Sequence, residues 1–317
     1  MAYFDEYGVE FSDDRKTLIK CPKNIYGDYI IPNYVTKIGS LAFWNCSGLM
    51  NVTIPDSVVS IGEDAFAGCS GIMSVSMSKS VNSIGRFAFR GCSGLRHPIF
   101  NEKVFAYLPT SFKGAYTIPN GIRSIAAAAF CNCKDLTSIE IPNSITSIEE
   151  GTFYNCTALS SVTIPNGVEN IGEWAFWNCH SLVSVRIPNS VKSIGNGAFS
   201  GCYHLMNVAI PESVISIGNG AFHGVGNIMY SGAATGAPWD AKSLNGNLEK
   251  AKEEERRKLV EKRKQEIEQT KKENRRIFII IIIAILGLVM LINAKCAKTR
   301  SNHHYDLFDP SMEYRHT

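Results

Sequence analysis

Apolar residues return along this chain on a fixed period. Leu159, Val162 and Ile164 follow the spacing L-x-x-V-x-I, and Val168, Ile171, Ala175 and Phe176 continue at intervals of three, four and one. In a short strand alternate side chains face opposite ways, so Val162 and Ile164 share one face and Ser161 and Thr163 the other. This predicts a strand with one buried side. Pro165 cannot donate a ladder hydrogen bond and Asn166-Gly167 supplies turn chemistry, so the strand ends there. The following apolar positions are too short and Gly-interrupted for a long helix. They predict a brief helical or extended turn on the convex side, with the recurring Ser-Ile-Gly as part of its turn chemistry, before the chain returns to the next strand at Leu182.

The same pattern recurs along most of the chain. Ile-Pro or a close substitute falls at Ile31, Ile54, Met77, Ile118, Ile141, Ile164, Ile187 and Ile210, in steps of 23, 23, 41, 23, 23, 23 and 23. Ala-Phe follows eleven residues after each Ile, as at Phe43, Phe66, Phe89, Phe199 and Phe222, with Thr152 replacing the Ala before Phe153. A fixed period of this length predicts a repeat solenoid, in which each unit buries its apolar face against its neighbours. The long step is one atypical unit, at about 95–117, which contains HPIFNEKVFAYLPTSFKGAY.

The unit L-x-x-V-x-I-P-x-x-V-x-x-I-G-x-x-A-F-x-x-C resembles the BspA-type, or Treponema pallidum-type, leucine-rich repeat over residues 25–232. The flanks, 1–24 and 233–246, are similar to the caps of that family. The resemblance implies a right-handed coil with a parallel concave β-sheet. It also implies a binding role, since such proteins are often found on bacterial or protist surfaces and linked to adhesion. Function lives in sites rather than folds, so location and ligand do not follow from it.

Seven cysteines hold one repeat position: Cys46, Cys69, Cys92, Cys133, Cys156, Cys179 and Cys202. In stacked coils about 4.7 to 4.9 Å apart, equivalent positions form a column with parallel Cα–Cβ vectors. Parallel vectors reach disulfide geometry only with local distortion, and zinc needs ligands converging on one point. The column therefore reads as buried small side chains at a tight corner, a structural thiol column.

Groups able to do chemistry are sparse. His180, His204 and His223 lie on three separate coils with no Ser, Cys or Asp spaced to assemble a triad around them. No phosphate-binding loop or metalloprotease helix pattern is present. The sequence predicts no enzyme, no cofactor and no small-molecule substrate. Residues 1–246 carry 16 Lys+Arg against 18 Asp+Glu, so no basic nucleic-acid footprint spreads over the repeats.

Binding of a protein partner is the remaining function. Outward strand positions include Ser138 and Glu140, Ser161 and Thr163, and Ser184 and Arg186, most of them small and polar. Tyr154 and Trp177 share one position of successive coils, with Trp174 three residues before Trp177, so the three rings are expected to approach one another. Trp174, Trp177, Tyr154, Glu140, Thr163 and Arg186 are the candidate partner-binding residues. A solvated sheet face and partial burial of the rings are the bland alternatives.

After Gly246 the composition changes. Residues 247–276 hold 20 charged residues of 30, with no Gly or Pro, and predict a solvated helical stalk in preference to a coiled coil. Residues 277–294 include 16 unbroken apolar residues and predict a single transmembrane helix. Nine Lys+Arg lie in the 20 residues before that span and three in the 20 after Asn293, which by charge bias places the repeats in the cytosol, as in a tail-anchored protein; a cell-surface adhesin is the alternative. The polar tail, 295–317, carries Tyr305-Asp306-Leu307-Phe308, similar to a sorting signal.

Overall fold

The computed structural model describes residues 2–235, 239–241, 243–244, 260–273, 275–276, 278, 282, 285–287 and 289–291. Spatial contacts divide the chain into Met1–Gly246 and Asn247–Thr317. The first unit is a β-solenoid of about nine turns.

Each regular coil contributes two strands to two parallel ladders. The longer strand carries the V-x-I pattern: Gly27–Ile30, Leu49–Ile54 and Ser74–Met77 form one sheet, then Lys113–Thr117, Asp135–Glu140, Ser161–Thr163 and Ser184–Arg186 a second. Asn207–Ala209, Asn227–Met229 and Ser243–Leu244 form a third. Successive coils pair in register, Ser138 with Ser161 and Ser161 with Ser184, because the period keeps equivalent residues level. Val162 is buried between exposed Ser161 and Thr163, as the alternation predicts.

The second ladder is built from two-residue strands: Lys37–Ile38, Ser60–Ile61 and Ser83–Ile84, then Ser124–Ile125, Ser147–Ile148, Asn170–Ile171, Ser193–Ile194 and Ser216–Ile217. Of the two turn conformations expected here, the chain takes the extended one, and the Ser-Ile pairs extend it into sheet. The recurring glycine follows from the closeness of the coils at this edge. A Cβ on Gly172 would lie 2.6 Å from the Glu150 nitrogen of the preceding coil, inside contact distance.

The third side is a turn that carries the phenylalanine and cysteine inward. Phe130, Phe153, Phe176, Phe199 and Phe222 stack one on another with ring centroids 5.0, 5.1, 5.1 and 5.5 Å apart, and Phe43, Phe66 and Phe89 do so at 4.7 and 5.2 Å. Offset rings at this spacing gain quadrupole complementarity beyond the apolar area they bury.

The atypical unit breaks both the stack and the core. Phe89 meets Tyr107 at 6.5 Å and a 47° tilt, and a fresh stack begins where Phe105 meets Phe130 at 4.9 Å. The strand Val104–Tyr107 is buried at every residue. Its Ala106 and Tyr107 close the N-terminal apolar cluster, while Phe105 opens the C-terminal one. On the outside Arg86 bridges the irregularity, reaching Glu63 at 2.9 Å and, past the coil of Ala126–Ala129, Glu150 at 2.6 Å. The alanine run leaves room for that reach.

At the N-terminus Tyr3–Phe4, Glu10–Phe11 and Thr17–Lys20 form an antiparallel cap whose last strand pairs parallel with Lys37–Ile38. At the other end Trp239 is buried beside Tyr230, and its carbonyl accepts the Phe222 N–H at 3.1 Å.

In the second unit residues 260–273 and 275–276 are helical, and 247–259 lie outside the described residues. The membrane expectation is corrected here. Among the described residues no helix is long and apolar enough to cross a membrane, which overturns the single-pass reading and both placements built upon it. A spanning helix needs about 20 consecutive apolar residues, whereas the continuous helical run 260–273 is dominated by Lys, Arg and Glu. Of 277–294 only 278, 282, 285–287 and 289–291 are described; the remaining positions, and the Tyr305–Phe308 motif, lie outside the described residues.

Candidate interaction surface

The thiol column is an interior feature with a specific partner for each sulfur. Cys69, Cys92, Cys156, Cys179 and Cys202 donate S–H to the carbonyls of Phe43, Phe66, Phe130, Phe153 and Phe176, one coil back, at 2.8 to 3.2 Å. Cys133 points to the Leu108 and Pro109 carbonyls at 3.6 and 3.8 Å, and Cys46 to those of Cys21 and Pro22 at 4.0 and 3.7 Å. The sequence reading treats the column as small apolar filling. The structure adds a hydrogen-bond donor that ties each coil to the one before it. All nine cysteines among the described residues are free and buried. Burial pushes the Cys69, Cys133 and Cys202 thiols up to about 12, and Cys156 and Cys179 well above the ordinary value. Among the described residues no group of three or more His, Cys, Asp or Glu is placed to hold a metal.

The turn that positions the aromatic residues bends twice through left-handed backbone. One such residue stands before each cysteine, Asn132, Asn155 and Asn178 at φ of 58 to 63°. Their side chains form a ladder, Asn155 Nδ2 to Asn132 Oδ1 at 2.8 Å and Asn178 Nδ2 to Asn155 Oδ1 at 3.0 Å. The other stands two residues before the phenylalanine and is glycine at Gly151, Gly197 and Gly220 but Trp174 in the intervening coil, with φ of 53°. A bulky residue there is strained, at about 1–2 kcal/mol relative to the right-handed region. The Trp174 indole lies across Gly197 of the next coil, where a Cβ would come within 2.7 Å of Cδ1.

Of the three rings expected to meet, the structure brings two together. Tyr154 and Trp177 stack at 4.5 Å and 13°, each half-buried. Trp174 does not join them, because its left-handed backbone sends the indole along the stack to Gly197. On the long-strand sheet Glu140, Thr163 and Arg186 are all exposed. Thr163 is level with Arg186, and Glu140 is level with Thr117, whose hydroxyl donates to Glu140 Oε2 at 3.0 Å.

Apolar exposure beside this row escapes the sequence reading. Val183 and Met206, equivalent residues of successive coils at the entry to the strands Ser184–Arg186 and Asn207–Ala209, are 61% and 58% exposed. Tyr203 is exposed in the same turn as Met206, with the His180 ring 5.3 Å away. The available signal is an apolar residue directly after the repeat leucine, Leu182-Val183 and Leu205-Met206, where the two preceding coils have Thr137 and Ser160 and the N-terminal coils have Met50 and Met73.

Stacked parallel coils of one repeat, with a buried phenylalanine and thiol spine and variable residues outside, define a leucine-rich-repeat solenoid. The profile of the BspA type leucine rich repeat region matches six copies over residues 23–118 and 99–229, and the chain belongs to that family. No curated protein matches the sequence. Similar solved structures include a leucine rich repeat protein of T. pallidum, 27% identical, covering 69% of this chain and 86% of that one, with a TM-score of 0.36. A leucine rich cell surface protein from Faecalibacterium prausnitzii is 27% identical over 77% and 76%, TM-score 0.43. A leucine-rich repeat protein from Bacteroides ovatus is 21% identical over 76% and 96%, TM-score 0.37.

Proposed function

We propose that this chain is a non-catalytic protein-interaction module whose contact surface centres on Val183, Met206 and Tyr203, with Arg186 and Thr163 beside them. The observation that carries this reading is the exposure of Val183 and Met206 on consecutive coils. Contiguous exposed apolar side chains on a rigid scaffold, rimmed by polar residues, are the usual form of a protein contact. Arg186 supplies a charged anchor of the kind enriched at energetic centres of interfaces. Trp174, exposed with its indole on Gly197, serves as a secondary contact.

The test places photoreactive benzoylphenylalanine at Met206, or at Glu169 on the short-strand side, in the full chain within native lysate. Adducts of defined mass are expected at Met206 and not at Glu169, and are expected to disappear in Val183→Asp carrying the label at Met206. Equal labelling at both positions, or none at Met206, would overturn the assignment of this surface.

A further inference from the structure

The two ladders end differently at the N-terminus. On the short-strand ladder Thr17–Lys20, Glu10–Phe11 and Tyr3–Phe4 lie beyond Lys37–Ile38, closing it three strands deep. On the long-strand ladder Gly27–Ile30, the strand of that same coil, is the outermost member. The cap covers its core face, through Tyr29 Oη donating to Asp5 Oδ2 at 2.7 Å and Tyr7 packing edge-on to Tyr29 at 5.7 Å. Among the described residues no strand covers its edge.

Main-chain direction shows what that edge offers. Gly27 and Ile31 donate N–H forward, to the Gly48 and Thr53 carbonyls at 3.0 Å each. Peptide groups alternate along a strand, so Asp28 and Ile30 present their N–H and C=O outward, away from the solenoid. Native edges are usually blunted by lysine, proline or a bulge turned away, and here the one register irregularity lies at the start of the strand, between Gly27 and Asp28. This edge carries the two most exposed large apolar side chains of the repeat unit, Tyr26 at 80% and Ile30 at 70%. Ile30 is level with Thr53, and Thr53 with Ser76, so the next coils carry small polar groups at the same place.

We propose that the Gly27–Ile30 edge is a docking site for one extended segment of another protein, paired main chain to main chain, apolar beside Ile30 and Tyr7 and basic beside Asp28. The occupant is a single strand because the cap stands three strands past this level on the opposite ladder. A second solenoid meeting the edge end-on runs into that cap. Asp28 is exposed on the edge strand; Asn51 Nδ2 donates to its Oδ1 at 2.6 Å, and its remaining oxygen selects a cation on the incoming strand. This surface is distinct from the Val183–Met206 patch and does not rest on it.

The probe is a fluorescein-labelled octapeptide alternating valine with threonine and lysine, titrated against the full chain by anisotropy. Saturable binding is expected, weakened about tenfold when alternate peptide nitrogens are methylated or in Ile30→Pro, since each change removes main-chain hydrogen bonds. Ile30→Thr, which copies the neighbouring coil and preserves the fold, is expected to weaken it about threefold by loss of apolar contact. Replacing the peptide lysines by glutamate is also expected to weaken it. Hydrogen exchange supplies a second reading: the Asp28 and Ile30 amides exchange freely in the chain alone and become protected with peptide. No binding by the lysine peptide, equal binding by Ile30→Thr and the unaltered chain, amides already protected in the chain alone, or self-association abolished by Ile30→Thr would each overturn the proposal.

Discussion

A buried cysteine that recurs in seven of the eight regular coils acts here through its proton. The thiols of Cys69, Cys92, Cys156, Cys179 and Cys202 are held neutral by burial, and their S–H groups answer phenylalanine carbonyls at the crowded corner. That neutrality has a measurable consequence. An unfolded thiol titrates near 8.5, whereas Cys69, Cys133 and Cys202 are pushed up to about 12. Below the unfolded value both states hold the proton and the contribution to stability is fully present. Above it the unfolded chain loses protons that the folded chain keeps, so stability falls as pH rises toward about 12, by up to about 1.4 kcal/mol per pH unit for each thiol. The expected outcome is a Tm that declines from about pH 8.5 upward, with a shallower decline in Cys156→Ala with Cys179→Ala. Parallel declines in the two proteins would remove the thiols as the cause. Trp174 marks the opposite case: with Leu41, Asp64, Phe87 and Ala128 it keeps a left-handed backbone that Gly151, Gly197 and Gly220 adopt at the same place in other coils.

At the scale of the element, the two-residue ladder depends on how closely coils approach. Where Ser-Ile-Gly passes over the preceding coil, Gly172 has no space for a side chain against the Glu150 nitrogen. Because backbone atoms cannot be displaced like the end of a flexible side chain, Gly172→Ala is expected to destabilise by about 1–3 kcal/mol, in the range of overpacked cores. The midpoint of urea unfolding measures it, and an unchanged midpoint would mean that the coils separate there at little cost. The phenylalanine column tolerates less still. Phe153 is stacked on both sides and fully buried, and Phe153→Ala is expected to cost about 3–5 kcal/mol by the same measurement.

For the whole molecule, the decisive element is Val104–Tyr107. In a solenoid each coil is stabilised by its neighbours, and cooperativity is as strong as the weakest interface between them. Here one strand closes one apolar cluster with Tyr107 and opens the next with Phe105. Weakening it should separate the halves. Phe105→Ala with Tyr107→Ala is expected to convert one urea transition into two, with tryptophan fluorescence reporting mainly the C-terminal half through Trp174, Trp177 and Trp239, and circular dichroism both. A single coincident transition in the double variant would show that the Arg86 bridge and the flanking turns suffice for coupling.

Period, strand position, inward face and thiol column were legible in the residues because each is a local consequence of alternation and repetition. Val162 inward, Thr163 outward and Cys156 in line with Cys179 need nothing beyond a coil of constant length. The repeat also carried the family. Of the apolar run at 277–294 only 278, 282, 285–287 and 289–291 are described, and among the described residues no helix is long and apolar enough to cross a membrane. What only the tertiary structure decided involves neighbours distant in sequence or backbone signs with no side-chain signature. The Ser-Ile pairs became strands because the adjacent coil supplied hydrogen-bond partners. Trp174 left Tyr154 and Trp177 because its φ is positive, and Val183 and Met206 stand in solvent because, among the described residues, no coil or cap folds over them. The sequence by itself determined the coil, through the spacing of its apolar residues. Packing decided which outward residues stand together, because that depends on how coils of equal length are stacked, interrupted and capped.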